Sequence, residues 1–281
     1  MTTQTEFLSR HLVPRDAAGE VGLVTGGTRG IGKEAARNLV RAGMTVVLAA
    51  RGETEGRQAA EELSAEGAGS GRAMFLGLDL ADPDSVAAAA ADIENRLGRL
   101  DVLVNNAATA IPPKPAFEVT AAEMRTVYDI NVFAVVSLIE AFLPLLGRSP
   151  NGRIVNVSSE RGSLGVGEGV IADGMRSWAG VEAPPESMAY RVAFVTQPNM
   201  AYSTSKAALN AVTQHFAYQF ERTGGRIRVN AAAPGHCATA FNNFTGYRTP
   251  GQGARIISAL ALAGDDAPNG GFYGDEGPTT W

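Results

Sequence analysis

The sequence predicts one α/β domain in which a doubly wound sheet of about seven mainly parallel strands carries helices on both faces. Short apolar runs alternate with amphipathic segments along most of the chain. Such alternation is typical of parallel sheets, because the crossover between two parallel strands is usually a helix. The 281 residues, of which 45% are hydrophobic, supply enough core material for a single large domain.

Six apolar runs have the length and composition of buried parallel strands, and five segments between them have the amphipathic pattern of helices. The predicted strands are residues 21–25, 45–50, 74–78, 100–104, 153–158 and 226–231. The predicted helices are residues 30–42, 55–66, 83–97, 121–146 and 200–222. Residues 1–20 are assigned to an N-terminal extension and residues 21–281 to the domain.

One long segment interrupts this alternation. Residues 162–199 contain six glycines and three prolines, and they separate the fifth predicted strand from the last predicted helix. A connection of that length in a compact domain usually has a function. Its Met, Trp and Phe residues suit the wall of an adaptable apolar pocket, and the alternative is that they only anchor the loop to the domain.

The charge and the cysteine and histidine content argue against several classes of function. The net charge of −5, the isoelectric point near 5.3 and the lack of long basic runs argue against a nucleic-acid partner. Cys237 is the only cysteine, and the three histidines show no metal-ligand spacing, so neither a disulfide nor a metal site is predicted. Residues 1–20 contain no apolar core of signal-peptide length. No stretch of the sequence approaches the apolar length of a membrane span. We therefore expect a soluble cytoplasmic protein with no membrane partner, and the excess of arginine over lysine indicates a bacterial origin.

A glycine-rich loop at residues 25–32 follows the first predicted strand and opens the first predicted helix. Its sequence, Thr-Gly-Gly-Thr-Arg-Gly-Ile-Gly, allows close approach of the backbone to a diphosphate at the helix N-terminus. The loop departs from the Gly-x-Gly-x-x-Gly dinucleotide pattern, because three residues separate Gly26 from Gly30. A nucleoside-triphosphate loop is disfavoured, since Glu34 stands where that loop requires a Ser or Thr hydroxyl. A tight turn without a ligand is the other alternative.

The residue after the second predicted strand indicates which dinucleotide such a loop binds. An NAD site usually places a carboxylate there for the ribose 2′-hydroxyl. Arg51 occupies this position, and a guanidinium can bind the 2′-phosphate of NADP(H) by charge-assisted hydrogen bonds. Arg29 in the loop is a second candidate for the same phosphate. NADP(H) is therefore favoured over NAD(H), and the alternative is that Arg51 is solvated and binds nothing.

Tyr202 and Lys206 lie four residues apart in a predicted helix, which places the ammonium one turn from the phenol. Free tyrosine has a pKa of about 10. Because a neighbouring cation favours the phenolate, the pair predicts a Tyr202 pKa that is lowered toward working pH, where proton transfer is most effective. Lys206 is one of only three lysines in the chain, which makes its position informative. The alternative is an ordinary surface pair.

These motifs together resemble the short-chain dehydrogenase/reductase family, and the resemblance extends from about Val21 to the C-terminus. Its seven markers occur in the family's order: Thr25-Gly26-x-x-x-Gly30-x-Gly32, Asp79-Leu80, Asn105-Asn106-Ala107-Ala108, Asn131, Ser158-Ser159-x-x-Gly162, Tyr202 with Lys206, and Pro234-Gly235. The family usually has glycine where Ala108 stands, which is a mild departure. The resemblance implies a Rossmann-type fold and an NADP(H)-binding catalytic domain.

The resemblance also implies a role for each of four catalytic residues. Tyr202 is expected to be the general acid, and Lys206 to lower its pKa and hold the nicotinamide ribose. Ser159 is expected to polarise the substrate carbonyl oxygen, and Asn131 to hold a water that links Lys206 to solvent. The residues expected to contact the cofactor are Gly26, Thr28, Arg29, Gly30, Ile31, Gly32, Arg51, Asp79, Leu80, Asn106, Ala107, Tyr202, Lys206, Pro234, Gly235 and Thr239.

The spacing of the catalytic residues indicates a branch of the family. Simpler members have about a third of the 43 positions from Ser159 to Tyr202, so residues 162–199 form an insertion. Arg51 and the C-terminal segment 270–281 are two further shared features. Together with the insertion, they make the chain resemble the carbonyl reductases, whose members are commonly monomeric. The implied activity is NADPH-dependent reduction of an aldehyde, ketone or quinone, with the insertion as a lid or pocket wall. The alternatives are an alcohol dehydrogenase that works in the oxidative direction and an NADP(H)-binding sensor with little turnover.

Overall fold

A computed structural model describes residues 16–67, 69–164, 198–264 and 267–281. Most of the predicted N-terminal extension and nearly all of the predicted insertion at 162–199 lie outside the described residues. The lid or pocket wall therefore stays a prediction.

The strands form one sheet with the order β3-β2-β1-β4-β5-β6-β7-β8. Their bounds are β1 Val21–Thr25, β2 Thr45–Ala50, β3 Arg72–Gly77, β4 Val102–Asn105, β5 Arg153–Val157, β6 Arg228–Ala232, β7 Phe272–Gly274 and β8 Gly277–Pro278. Every neighbouring pair is parallel except the last, where β8 runs antiparallel to β7. The predicted doubly wound sheet is confirmed, with eight strands where about seven were expected. The strand order reverses between β1 and β4, where ligands of such sheets bind.

Helices cover both faces of the sheet, as the apolar pattern predicted. They are α1 Gly30–Arg41, α2 Glu53–Ala65, α3 Pro83–Leu97, α4 Ala121–Tyr128, α5 Ala134–Leu146, α6 Met200–Arg222 and α7 Pro250–Ala261. One core cluster joins the sheet to α1, α2 and α7, and a second joins it to α3, α5 and α6. The carboxyl ends of the parallel strands thus lie at one edge between two packed layers of helices.

The segment that was predicted as one helix over residues 121–146 contains a wider turn. Asp129–Phe133 forms a π-helical turn between α4 and α5. The combined helix, Ala121–Leu146, is long and apolar enough by length and composition to cross a membrane, contrary to our expectation from the sequence. Half of its most apolar window is buried inside the protein, and a buried core helix passes the same test, so this is weak evidence for a span.

Candidate active site

The predicted catalytic residues converge at the carboxyl end of β5 and the first turns of α6. Ser159 follows β5, and its side chain is hydrogen-bonded to that of Tyr202 on α6. Lys206 is 3% exposed, and its Nζ donates to the carbonyl oxygen of Val157 at 2.7 Å. The same Nζ lies 5.6 Å from the centroid of the Tyr202 ring. A strand end and a helix therefore hold a hydroxyl, a phenol and an ammonium in one place.

Burial is the main influence on the proton affinity of both side chains. It raises the pKa of Tyr202, while the charge of Arg161 and the hydrogen bond of Ser159 act in the opposite direction. Burial lowers the pKa of Lys206 to about 7. The expectation of a lowered Tyr202 pKa is therefore wrong for this structure, because removing a phenolate from water outweighs the attraction of the Arg161 cation and the hydrogen bond of Ser159. The phenol is protonated at neutral pH, which is the form that a general acid requires.

Gly162 allows the turn after β5 to pack closely on α6. The short helical turn Glu160–Gly162 packs directly on the backbone of α6 at Lys206. A Cβ at Gly162 would lie 2.6 Å from the Lys206 carbonyl carbon and 2.8 Å from the Ala207 nitrogen, closer than real Cβ contacts come. Only glycine allows this approach, so the Ser-x-x-Gly spacing brings Ser159 within reach of Tyr202.

Asn131 lies in the π-helical turn and joins three parts of the protein. Its side-chain amide donates to the Thr109 carbonyl oxygen at 2.9 Å and to Ser205 Oγ at 3.0 Å. Its Oδ1 accepts from the Thr109 N–H at 2.8 Å. Both amide hydrogens are thus used, and the side chain ties the loop after β4 to α6 beside Lys206. The water relay that the sequence predicted for Asn131 stays a prediction.

The glycine loop fits a bound diphosphate. Gly26 and Gly30 have φ angles of +62° and +56°, in the left-handed region where glycine is unstrained. A Cβ on Gly32 would overlap the Asn106 amide and lie 2.5 Å from the Gly26 carbonyl oxygen. The N-terminus of α1 has no side-chain cap. Backbone N–H groups of such a helix end bind anions, so this end of α1 suits the phosphates of a dinucleotide.

Asn106 and Ala107 hold this loop against the end of β4. The Asn106 side chain donates to the Thr25 carbonyl oxygen at 2.8 Å. The backbone N–H groups of Asn106 and Ala107 both donate to Thr25 Oγ1 at 3.0 Å. These bonds show a positioning role for Asn106, and a direct contact with a cofactor stays a prediction.

The two arginines predicted to select the cofactor lie at neighbouring strand ends. Arg29 follows β1 and Arg51 follows β2, and both are exposed. These strands pair in parallel, with Thr25 opposite Ala49. Among the residues that the structure describes, neither guanidinium has an ion-pair or hydrogen-bond partner. Two unneutralised guanidinium groups at adjacent strand ends fit a phosphate on the ribose of a dinucleotide.

The remaining predicted cofactor residues lie around the same edge of the sheet. Asp79 and Leu80 follow β3, and the Asp79 carboxylate accepts from the Ala81 N–H at 3.0 Å. Pro234 and Gly235 follow β6, and Gly235 has a φ of +74°. Thr239 lies against the glycine loop, since a Cβ on Gly30 would be 3.4 Å from its methyl group. Thr28 and Ile31 are partly buried within the loop.

Three residues around Tyr202 and Arg161 were not assigned a role from the sequence. Arg161 is only 8% exposed, and its Nε donates to Ser203 Oγ at 3.3 Å. His236 is 8% exposed, and burial together with the charge of Arg161 lowers its pKa. The Phe241 ring lies 5.7 Å from that of Tyr202. The two unspecified positions of Ser-x-x-Gly gave no signal for Arg161, and His236 and Phe241 fall in the loop after Pro234-Gly235, where no motif singled them out.

Comparison with known proteins places this geometry in a family. The family model described as short chain dehydrogenase matches residues 20–171 and 187–247. The chain belongs to the short-chain dehydrogenases. Salutaridine reductase of Papaver bracteatum is 32% identical over 89% of this chain and 93% of its own length. Carbonyl reductase [NADPH] 3 of Rattus norvegicus is 34% identical over 93% of this chain and 98% of its own length.

A solved structure of another protein shares the fold. A Pseudomonas aeruginosa protein, solved as an NADP active-site complex, superposes with a TM-score of 0.73 at 26% identity. The match covers 94% of this chain and 96% of that one. The family membership, the Rossmann-type sheet and the resemblance to carbonyl reductases that the sequence predicted are thereby confirmed. This short-chain dehydrogenase is an oxidoreductase of that family.

Proposed function

We propose that this protein reduces the carbonyl group of a ketone, aldehyde or quinone with NADPH. One observation carries the proposal: Ser159 is hydrogen-bonded to Tyr202 directly beside the buried Nζ of Lys206. A hydroxyl and a phenol that face one point can both bond to the oxygen of a carbonyl compound. Similarity to carbonyl reductase [NADPH] 3 of Rattus norvegicus supports the same reaction.

The chain's own groups perform the proton transfer. NADPH, when bound, supplies the hydride to the carbonyl carbon. The Tyr202 hydroxyl donates its proton to the carbonyl oxygen as negative charge develops there, and the Ser159 hydroxyl donates a hydrogen bond to the same oxygen. The resulting phenolate is stabilised by the buried cation nearby, which needs no reorganisation at the moment of reaction.

Two further features support NADP(H) as the cofactor and reduction as the direction of reaction. The exposed guanidinium groups of Arg29 and Arg51 favour the 2′-phosphate of NADP(H), which NAD(H) lacks. The raised pKa of Tyr202 keeps its phenol protonated at neutral pH, and reduction requires that form. Oxidation of an alcohol, which needs the phenolate as a base, is the second candidate and is favoured only at alkaline pH.

We also propose that the protein is a monomer of the cytoplasm that acts on a small molecule. The net charge of −5 supports the lack of a nucleic-acid partner. Size-exclusion chromatography with light scattering tests the oligomeric state, and a dimer mass would overturn the proposal of a monomer.

The test of activity is consumption of NADPH with a panel of aldehydes, diketones and quinones. Tyr202→Phe is expected to lower kcat by about 10²-fold to 10⁴-fold, because it removes the proton donor. Tyr218→Phe is the matched control, since Tyr218 is 59% exposed on the same helix and bonds only to Arg222 among the described residues. Retained activity in Tyr202→Phe would contradict the mechanism. Tight binding of NADPH by a wild-type protein that reduces nothing in the panel would favour the sensor.

A further inference from the structure

Arg161 is a buried cation beside the acid–base pair. It lies in the turn Glu160–Gly162, directly after Ser159, and is 8% exposed. Its Nε donates to Ser203, the residue that follows Tyr202 on α6. A buried guanidinium loses its hydration, which is unfavourable unless it gains interactions in the protein. Because Arg161 lies close to Tyr202, its charge is placed to act on the phenol.

The charge of Arg161 affects the pKa of two side chains that lie on different elements. It lowers the pKa of Tyr202 on α6, against the larger effect of burial. It also lowers the pKa of His236 in the loop after β6, in addition to burial. The guanidinium therefore acts on both the phenol and the histidine from the turn that carries Ser159.

We propose that Arg161 is a positioning residue of the acid–base step, whose permanent positive charge stabilises the phenolate of Tyr202 after proton transfer. The inference deepens the proposed function and depends on it. Charges in a buried site interact much more strongly than charges in water, so one guanidinium there is sufficient to alter a proton equilibrium.

The charged and titratable groups on α6, in the loop after β6 and in the turn after β5 differ in how constant their charge is. Lys206 on α6 has a pKa of about 7 and so loses its charge as the pH rises above neutrality. His236 in the loop after β6 has a lowered pKa and is neutral there. Glu160 precedes Arg161 in the turn after β5. Burial also lowers the pKa of Arg161 from its ordinary value of 12.5. Among these groups it still keeps its charge furthest into the alkaline range, because guanidinium groups stay protonated in proteins.

The experiment measures the pH at which Tyr202 loses its proton. In alcohol oxidation with NADP⁺, kcat/KM rises as the phenolate forms, and the midpoint reports its proton equilibrium. Arg161→Met and Arg161→Gln are expected to move this midpoint upward by about one pH unit, since a neighbouring cation has been removed. Arg161→Lys, which keeps the charge, is expected to leave the midpoint close to that of the wild type.

A second measurement does not depend on turnover. The ultraviolet absorbance of tyrosinate is titrated in each protein and in its Tyr202→Phe counterpart, and the difference isolates Tyr202. An upward shift in the neutral variants supports the role of Arg161 even if the proposed reaction fails. Identical midpoints in wild type and neutral variants overturn it, whether or not the reaction is confirmed.

One further variant keeps the test decisive if neither neutral variant folds. Ser203→Ala removes the hydrogen bond to Arg161 Nε and leaves the charge in the chain. An upward shift of the Tyr202 midpoint in Ser203→Ala supports the placement of the guanidinium by α6, and an unchanged midpoint overturns it. NADPH binding, followed by fluorescence, checks that each variant keeps a folded cofactor site.

Discussion

The two halves of the site use positive charge in opposite ways. At the ends of β1 and β2, Arg29 and Arg51 are exposed. At the end of β5, Lys206 and Arg161 are 3% and 8% exposed. Exposed charges are screened by salt and attract an anionic ligand, whereas buried charges change the proton affinity of their neighbours. Substitutions in the first region should therefore alter cofactor affinity, and those in the second should alter the chemical step.

The largest effect is expected at the buried lysine. Lys206→Met removes the ammonium that stabilises the phenolate, so kcat should fall by about 10²-fold or more. Steady-state kinetics with a saturating ketone measures the loss, and NADPH fluorescence checks that the cofactor still binds. A kcat within about threefold of the wild type would mean that the buried charge has no part in proton transfer.

Gly162→Ala should damage the same half of the site without changing any charge. The new methyl group would press on the backbone of α6 at Lys206, and overpacking of this kind destabilises a protein by about 1–3 kcal/mol. We expect a lower kcat, because Ser159 moves away from Tyr202, and a lower free energy of unfolding in urea. Gly77→Ala is the matched control, since its Cβ would meet no atom within 4 Å. Equal kinetics in the two variants would contradict the role given to Gly162.

Arg51→Ala should affect the exposed half alone. We expect the KM for NADPH to rise by about tenfold and its dependence on salt to weaken, with kcat unchanged, because a charge-assisted bond to phosphate is lost. Arg57→Ala is the control, since that side chain is 67% exposed and pairs with Glu53. A loss of affinity that is equal for NADPH and NADH would show that Arg51 does not select the 2′-phosphate.

The smallest effect concerns stability rather than catalysis. Lys206 has a folded-state pKa of about 7 and an ordinary value of 10.5, so the unfolded chain binds more protons between these limits. Its burial therefore destabilises the protein most below pH 7, and this penalty is relieved as the pH rises toward 10.5. The stability gain of Lys206→Met over wild type should shrink from pH 7 to pH 9, as urea denaturation would measure. A gain that is constant with pH would show that Lys206 is not perturbed.

The sequence predicted the elements whose signals are local. Residues 21–25, 45–50, 83–97 and 200–222 were predicted with the observed bounds. The start of α3 has an Asp82 cap and a proline at its first position, both readable from the sequence. The helix α7 was missed although Thr249 and Gln252 form a capping box, because Gly251 and Gly253 lower the helix propensity of its first turn. The very short strand β8 carries no pattern of its own.

The sequence predicted those site residues that belong to short motifs with a fixed spacing. The Tyr–Lys spacing and the Ser-x-x-Gly spacing gave the positions of the reacting groups. The direction of the Tyr202 pKa shift was wrong, because burial depends on which loops pack over the ring and not on the spacing of two residues. Arg161 was missed for the same reason, since its burial and its effect on His236 arise only when β5, β6 and α6 meet.

The π-helical turn Asp129–Phe133 also sets how two stretches of helix are rotated about their common axis. Each residue advances an α-helix by about 100°, so one residue accommodated in a wide turn shifts the facing of everything beyond it. α5 directs Leu138, Ile139 and Phe142 into the core, whereas α4 buries only Val127. Deleting a single residue from this turn would make the helix regular. It would also rotate the α4 side chains by about 100° relative to those of α5, so Val127 would no longer face the core.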